Sequence, residues 1–296
     1  MKVATRRKLS RLFSNRTKKV NRSKSGNTLI FLVLLIFGLY SLLPMVLAVL
    51  QSIKPLNELY LYPPRFFVQS PTFDNFLSLM DLMTASWVPF SRYLFNTVLI
   101  AVGGTAGHVL LASLCAYPLA KHRVPGEKII FGIIVYSLMI QPAVADIANY
   151  QTMARLHLLD TYWSVLIPAF GSSLGLYIMK NFISVLPDSL IEAAKIDGAG
   201  EWRIYASIVM PNAKPGWLTL MIFSFQGLWN STSSTYIYSE EFKSLPYALN
   251  QIVAGGIERA GAGAAVTVIL MIVPIALFIL TQSNIMETMA SSGMKD

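Results

Sequence analysis

The chain has 296 residues, 54% of them hydrophobic and only 13% charged, and its mean hydropathy is +0.53. A soluble domain carries about 25% charged residues, so an ordinary water-soluble fold is excluded and lipid is the expected solvent. The net charge of +9 is uneven: ten Lys and Arg and no acidic residue precede Ser25, leaving 14 basic and 15 acidic side chains in the remainder.

Six windows of 17 or more residues contain no Asp, Glu, Lys or Arg: 25–53, 93–120, 129–145, 161–179, 215–239 and 260–286. A spanning helix needs roughly 17–25 apolar residues. The sequence therefore predicts an all-α integral membrane protein with six transmembrane helices, at about 28–50, 94–120, 129–145, 163–180, 215–233 and 264–283. The membrane domain would cover 25–286, between a basic arm over 1–24 and a tail over 287–296. A basic arm can bind nucleic acid, but beside a 29-residue charge-free window it reads more simply as a cytoplasmic anchor. It is too long and too basic for an ordinary signal peptide.

With the N-terminus in the cytoplasm, both termini lie inside, and the inside segments hold 18 Lys and Arg against six outside, as the positive-inside bias requires. Most of that excess comes from the arm. In chain order, Pro44 falls near the outer end of the first span, and the outside segment 51–93 carries Pro55, Pro63, Pro64 and Pro71. Tyr60, Tyr62, Trp87 and Tyr93 there suit a membrane interface. Gly103–Gly107 and Gly171–Gly175 have the small-xxx-small spacing that lets helices approach. The single cysteine, Cys115, cannot form an internal disulfide and reads as a small apolar packing residue of the second span. His108, in the same span, reads as a neutral histidine bonded to a neighbouring helix, and Asp146 as a solvated group at a span end.

The loop 181–214 is unusually polar, with Asp188, Glu192, Lys195, Asp197, Glu201, Arg203 and Lys214. Ser189-x-x-Glu192 fits a capping box, Ala193 and Ala194 favour helix, and Asp197-Gly198 signals a turn. An amphipathic stretch, Glu201 to Val209, leads to Pro211, and Pro215 suits the first turn of the fifth span. A capped interfacial helix alone explains Ser189 and Glu192 but not the whole constellation.

Glu192-Ala193-Ala194, Asp197-Gly198-Ala199, Ile208 and Pro211, with Pro215 four residues on, resemble the signature loop of the integral-membrane permease subunits of bacterial ABC importers. The likeness covers most of the chain and points to the carbohydrate branch, the second permease of a maltose-type pair. Ser52-Ile53-Lys54-Pro55, Tyr117-Pro118-Leu119-Ala120-Lys121, Trp229-Asn230, Arg259-Ala260-Gly261 and Gly293-Met294-Lys295-Asp296 add to it. Thr281-Gln282-Ser283 and Met286-Glu287-Thr288-Met289 look like a sub-branch handling complex oligosaccharides, while Gln141-Pro142 departs from the apolar residue and proline of many relatives.

The resemblance implies a type I ABC importer-like fold in the bacterial cell membrane, with residues 189–200 as a coupling helix docking on a separate ATPase. Glu192, Ala193, Ala194, Asp197, Gly198 and Pro211 would carry that coupling, Ala193 and Ala194 by close packing and Gly198 by its turn. The prolines would stiffen the loop so that movement passes into the fifth span. The implied partners are a second permease in a heterodimer, two ATPase subunits that bind ATP and Mg, an outside solute-binding protein facing the loop Ser231–Gly263, a sugar, and membrane lipid. No cofactor, metal or catalytic residue is expected in this chain, which has neither a Gly-x-x-x-x-Gly-Lys-Ser/Thr phosphate loop nor a His-Glu-x-x-His zinc motif. Trp229 and Asn230 would line the sugar path, although Trp229 reads equally as an interface anchor. The alternative cargo is a polyamine, phosphate or amino acid.

Overall fold

A computed structural model describes residues 24–84, 87–140 and 142–292, and the regular elements within them are helices. The arm before Lys24, Gln141 and the ending Gly293–Asp296 lie outside the described residues. The chain divides into two units, one up to Ala48 and one from Val49 onward. Helix α1 (Lys24–Ser52) supplies the described part of the first unit and only its last turn belongs to the second.

In the second unit, two short helices, α2 (Leu56–Leu59) and α3 (Asp74–Thr84), lead to α4, the long helix Phe90–Lys121. Pro89, in extended conformation, starts α4. At 32 residues it measures about 48 Å, well beyond the roughly 30 Å hydrocarbon core of a bilayer. One π-helical turn, Leu99–Gly103, interrupts its α geometry. Then follow α5 (Glu127–Ser137), α6 (Pro142–Arg155), α7 (Trp163–Phe170), α8 (Ser173–Ser184), α9 (Asp188–Ile196), α10 (Glu201–Ile204), α11 (Lys214–Trp229), α12 (Leu245–Val253) and α13 (Ala260–Ser292).

Among the described residues, three unbroken helices are long and apolar enough to cross a membrane: Ser25–Ser52, Phe90–Lys121 and Ala260–Gln282. The other three predicted spans are not matched by single helices of that length. The 129–145 segment is interrupted by a turn at Leu138–Ile140, between α5 and the helix that Pro142 opens. The 163–180 segment breaks at Gly171-Ser172, where Ser172 is extended. The fifth is a 16-residue helix that ends at Trp229 rather than 233.

α4 packs against α7, α8 and α11, while α13 packs against α11, α3 and α12. The core gathers at the two ends of α4. One cluster joins Ala112, Ala116 and Tyr117 to Met179, Ile183, Ile191, Ala194, Ile204 and Val209. The other joins Tyr93 to Leu79, Met83, Leu249, Ile252, Ala265 and Val266. Tyr93, expected at the interface, is therefore core, whereas Tyr62 and Trp87 are exposed. Cys115 is also on the exposed face of α4 and packs into neither cluster, a correction to the expected packing role.

His108 joins three helices at the middle of α4. Its Nδ1 lies 3.0 Å from Ser224 Oγ of α11 and its Nε2 lies 3.3 Å from the carbonyl oxygen of Ser172. A carbonyl can only accept, so Nε2 donates; with the imidazole neutral, Nδ1 accepts from the serine hydroxyl. The ring sits over Gly175, where an added Cβ would lie 2.1 Å from Nε2. Gly107 is similarly covered by Phe170, at 2.2 Å from Cε1. In each predicted glycine pair one member makes the close approach, since Gly103 and Gly171 have no contact nearer than 3.9 Å. Gly175→Ala and Gly107→Ala should each cost about 1–3 kcal/mol through overpacking. Thermal unfolding in detergent checks this against Gly132→Ala, whose Cβ would meet nothing within 4 Å and which should unfold as the unmodified chain does.

Candidate coupling site

After α8 the chain turns at Val185-Leu186-Pro187, and α9 leaves at 74° to the Trp163–Ser184 segment. Pro187 is the N-cap and no side chain caps the helix, so the expected Ser189–Glu192 capping box does not form. The helix begins two residues earlier than that motif requires, which puts Ser189 inside the first turn. Asp188 takes the first helical position, where its charge favours the helix dipole, and pairs with Lys121 at 2.6 Å.

The other end of α9 is a Schellman cap. The Ala199 amide donates to the Ala194 carbonyl at 2.9 Å and the Gly198 amide to Lys195 at 3.0 Å. Gly198 has φ +75°, left-handed geometry that a side chain resists, so the expected sharp turn is present and needs glycine. Gly200 then starts α10, and a π-helical turn, Tyr205–Val209, carries the chain to Pro211 and α11. The expected amphipathic pattern holds: Ile204, Tyr205 and Val209 are buried while Trp202, Arg203, Ala206 and Ser207 are exposed. Pro215 lies in the first turn of α11, as the sequence predicts.

The six coupling residues divide by face. Glu192, Ala193, Asp197, Gly198 and Pro211 are exposed, whereas Ala194 is 8% exposed and packs into the cluster around Tyr117. Ala194 therefore anchors α9 to its own chain and leaves Ala193 to face outward. Val185 ahead of α9, Ile196 at its end and Trp202 in α10 are also exposed, at 81%, 87% and 73%, as are Glu192, Lys195 and Asp197. Sequence reasoning passed over Val185, Ile196 and Trp202, although a tryptophan between Glu201 and Arg203 is a visible signal.

Glu201 is the hub behind α9. Lys195 Nζ donates to its Oε1 at 2.9 Å and the Tyr117 hydroxyl to its Oε2 at 2.8 Å, with His122 Nε2 at 3.4 Å from Oε2. The Lys195 and Tyr117 hydrogen bonds hold its carboxyl below the usual carboxylate range, outweighing the opposing effect of burial. On the α5 side, Lys180 pairs with Glu127 at 3.3 Å and sits 4.1 Å above the Phe131 ring.

Trp229 is not on an open path. It is 3% exposed, stacks on Phe225 and donates from Nε1 to the Leu270 carbonyl at 3.2 Å. That fastens α11 to α13 within the chain. Asn230 is exposed and donates back to Gln226 at 3.0 Å, closing the end of α11. The spelling Gly-x-Ser-x-Gly occurs at Gly171–Gly175, but it marks a helix break, not the strand-to-helix turn of a nucleophile elbow, and Ser173 Oγ takes a 2.6 Å bond from Ser137. Asp146 is exposed, as expected of a solvated group, and accepts from the Tyr236 hydroxyl at 3.1 Å.

At the opposite end of α4, the segment 231–245 is tied down by two polar groups, buried Asn96 and partly exposed Asp160. Asn96 donates to the Glu241 and Lys243 carbonyls at 2.8 Å each and accepts from Tyr162 at 2.7 Å. The Asp160 carboxylate accepts the Tyr238 and Ser239 amides at 2.9 and 2.8 Å and the Ser239 hydroxyl.

Residues 108–288 match the family of binding-protein-dependent transport system inner membrane components. The chain belongs to that family. It is 33% identical over 157 residues to protein LplC of Bacillus subtilis, covering 53% of this chain and 52% of the relative. It is 28% identical over 202 residues to the diacetylchitobiose uptake system permease protein NgcG of Streptomyces coelicolor, covering 67% and 64%. These alignments span between about half and two thirds of the relatives' own lengths. The fold is shared with a solved bacterial ABC transporter involved in the import of the acidic polysaccharide alginate, at TM-score 0.71 and 22% identity, over 90% of this chain and 99% of that one.

Burial opposes ionisation of Asp160, but the Ser239 and Tyr238 hydrogen bonds outweigh it and hold the carboxyl below its usual range. Its stabilising effect is thus fully present above about pH 4 and is lost as pH falls through the lower folded value. Asp160→Ala should speed exchange of the Tyr238 and Ser239 amides about tenfold or more at neutral pH, the loss of one charge-assisted bond being enough. Hydrogen-exchange mass spectrometry of the 231–245 segment checks it.

Proposed function

We propose that the chain is a permease subunit of an ATP-driven ABC importer for sugars, oligosaccharides in particular. It works as one half of a heterodimer with a second permease, in a six-span arrangement with both termini in the cytoplasm. Two ATPase subunits that bind ATP and Mg dock on α9, and an outside solute-binding protein meets the 231–263 loop. The carrying observation is the outward face of α9 and α10, where Ile196 and Trp202 stand exposed among Glu192, Lys195 and Asp197. Large apolar side chains exposed together with charged ones are the mixture found at protein-docking sites, which combine apolar anchors with a polar rim. Lipid would not favour those charges.

The family match and the named cargo of NgcG support import of a saccharide. The charge-free windows support a neutral, polyhydroxylated cargo over a polyamine, phosphate or amino acid. ATP closure would draw the docked α9 helices together and turn the cavity outward, and hydrolysis would reset it.

Trp202→Ala should cost about 2 kcal/mol or more of docking energy, the usual toll for an interface tryptophan, and Ile196→Asp should abolish docking. Co-purification of an ATPase with the tagged chain from its native membranes reads both variants. An undiminished ATPase yield with Ile196→Asp would remove this face from the account. Gly198→Asp should insert normally but uncouple ATP hydrolysis from uptake, since a side chain resists φ +75° at the cap that sets the exit from α9. Uptake of labelled oligosaccharides against spermidine, phosphate and amino acids separates the cargo classes.

A further inference from the structure

Three polar side chains of α4 lie four residues apart, at Ser113, Tyr117 and Lys121, and so form a single stripe down one face of the helix. Each meets a different part of the segment that carries α9. The Ser113 and Tyr205 hydroxyls are 2.7 Å apart and buried. The Tyr117 hydroxyl donates to Glu201 at 2.8 Å. Lys121 donates to the Ser184 carbonyl at 3.3 Å, to the Leu186 carbonyl, and to Asp188 Oδ1 at 2.6 Å. The contacts bracket α9: Lys121 holds the turn that enters it, and Tyr117 holds Glu201 just past the cap that leaves it.

We propose that this stripe is a positioning lock that makes α9 and the adjoining end of α4 one rigid body. A push on α9 then enters the second span directly. It need not travel round the proline-bearing stretch to α11, the route the sequence suggests. The inference rests on the proposed function only for the origin of the push.

Two features support a lock over incidental surface pairing. Lys121 donates to three acceptors spread over five residues, so one ammonium ties the turn 184–188 together. Glu201 holds Lys195, the last-turn lysine of α9, and Tyr117 of α4 on its two oxygens, so a single carboxylate joins the two helices. Its carboxyl is held below the usual range and stays charged at neutral pH. Beneath the polar stripe, Ala112, Ala116 and Tyr117 pack against Ile191, Ala194 and Ile204.

The chain contains a natural probe, since Cys115 is its single cysteine and lies exposed on α4 between Ser113 and Tyr117. Nitroxide labels on Cys115 and on Val185→Cys, an 81% exposed loop position, report the α4-to-loop distance by EPR in the detergent-purified assembly. With the lock intact, the distance distribution should be narrow and the same with and without Mg-ATP. Combining Tyr117→Phe with Lys121→Met should broaden it about twofold or more, because the loop gains an alternative arrangement. Combining Tyr117→Phe with Lys121→Arg, whose guanidinium still donates to the Ser184, Leu186 and Asp188 oxygens, should return it toward the original width, an outcome that a general loss of folding cannot produce. An unchanged width in the double variant, or a wild-type distance that shifts with Mg-ATP, overturns the lock. Failure to find an ATPase in the preparation bears instead on the proposed function, since the nucleotide-free comparison still decides the lock.

Discussion

Inside hydrocarbon no water is available to satisfy an exposed amide or hydroxyl, so each polar group must find its partner within the protein. This constraint accounts for the polar contacts along α4. His108 bridges Ser224 and Ser172, and Thr97 donates to Tyr93 while accepting from the Leu245 amide. Asn96, wholly buried, uses its amide nitrogen and its oxygen on three partners from two other segments. Each such group fixes the position of a neighbouring segment, because leaving one partner unmade costs about 1–3 kcal/mol. Among the described side chains, the buried Thr105 hydroxyl has no partner, and it borders an apolar cavity of about 380 Å³.

The two ends of α4, which reach beyond the hydrocarbon, differ in what their polar contacts hold. At the Asn96 end, polar groups face inward and hold 231–245 in place, so this loop is presented as a fixed surface. At the Lys121 end, the polar groups also face inward, toward 184–205, while the apolar Val185, Ile196 and Trp202 face out. Exposure of large apolar side chains among the charges of a polar loop is unusual for a surface that meets only water. It is consistent with a segment whose outer face is completed by another protein, as family membership leads one to expect.

The all-helical class and the placing of the hydrophobic segments were legible from charge-free windows, because burying one charge is costly enough to mark every segment. The breaks at Leu138–Ile140 and Gly171-Ser172 were not, since a window count is blind to φ and ψ. The turn at Gly198 was legible because a left-handed cap selects glycine. The capping box failed because Pro187 starts the helix ahead of Ser189, and a four-residue motif cannot report which residue opens the helix. Ala194 and Trp229 show another limit. Residue type says that alanine packs and tryptophan stacks, but only the tertiary fold says against what, and here both pack within their own chain. Tyr117 and Lys121 entered the sequence reading merely as part of a likeness, because their partners lie 84 and 67 residues away.

Rigidity, not stability, is what a docked loop must supply. To drive a two-state permease from 1:99 to 99:1, a motor must favour one state by about 5.5 kcal/mol, and the linkage has to carry that preference. An exposed ion pair contributes only about 0–1 kcal/mol to stability, so Lys121–Asp188 and Lys195–Glu201 cannot hold such a load by strength. The apolar cluster of Ala116, Tyr117, Ile191, Ala194 and Ile204 supplies the cohesion. What the polar contacts add is direction. They forbid α9 from sliding or rolling on that smooth apolar surface, and a helix that can do neither must move with the partner it rests on.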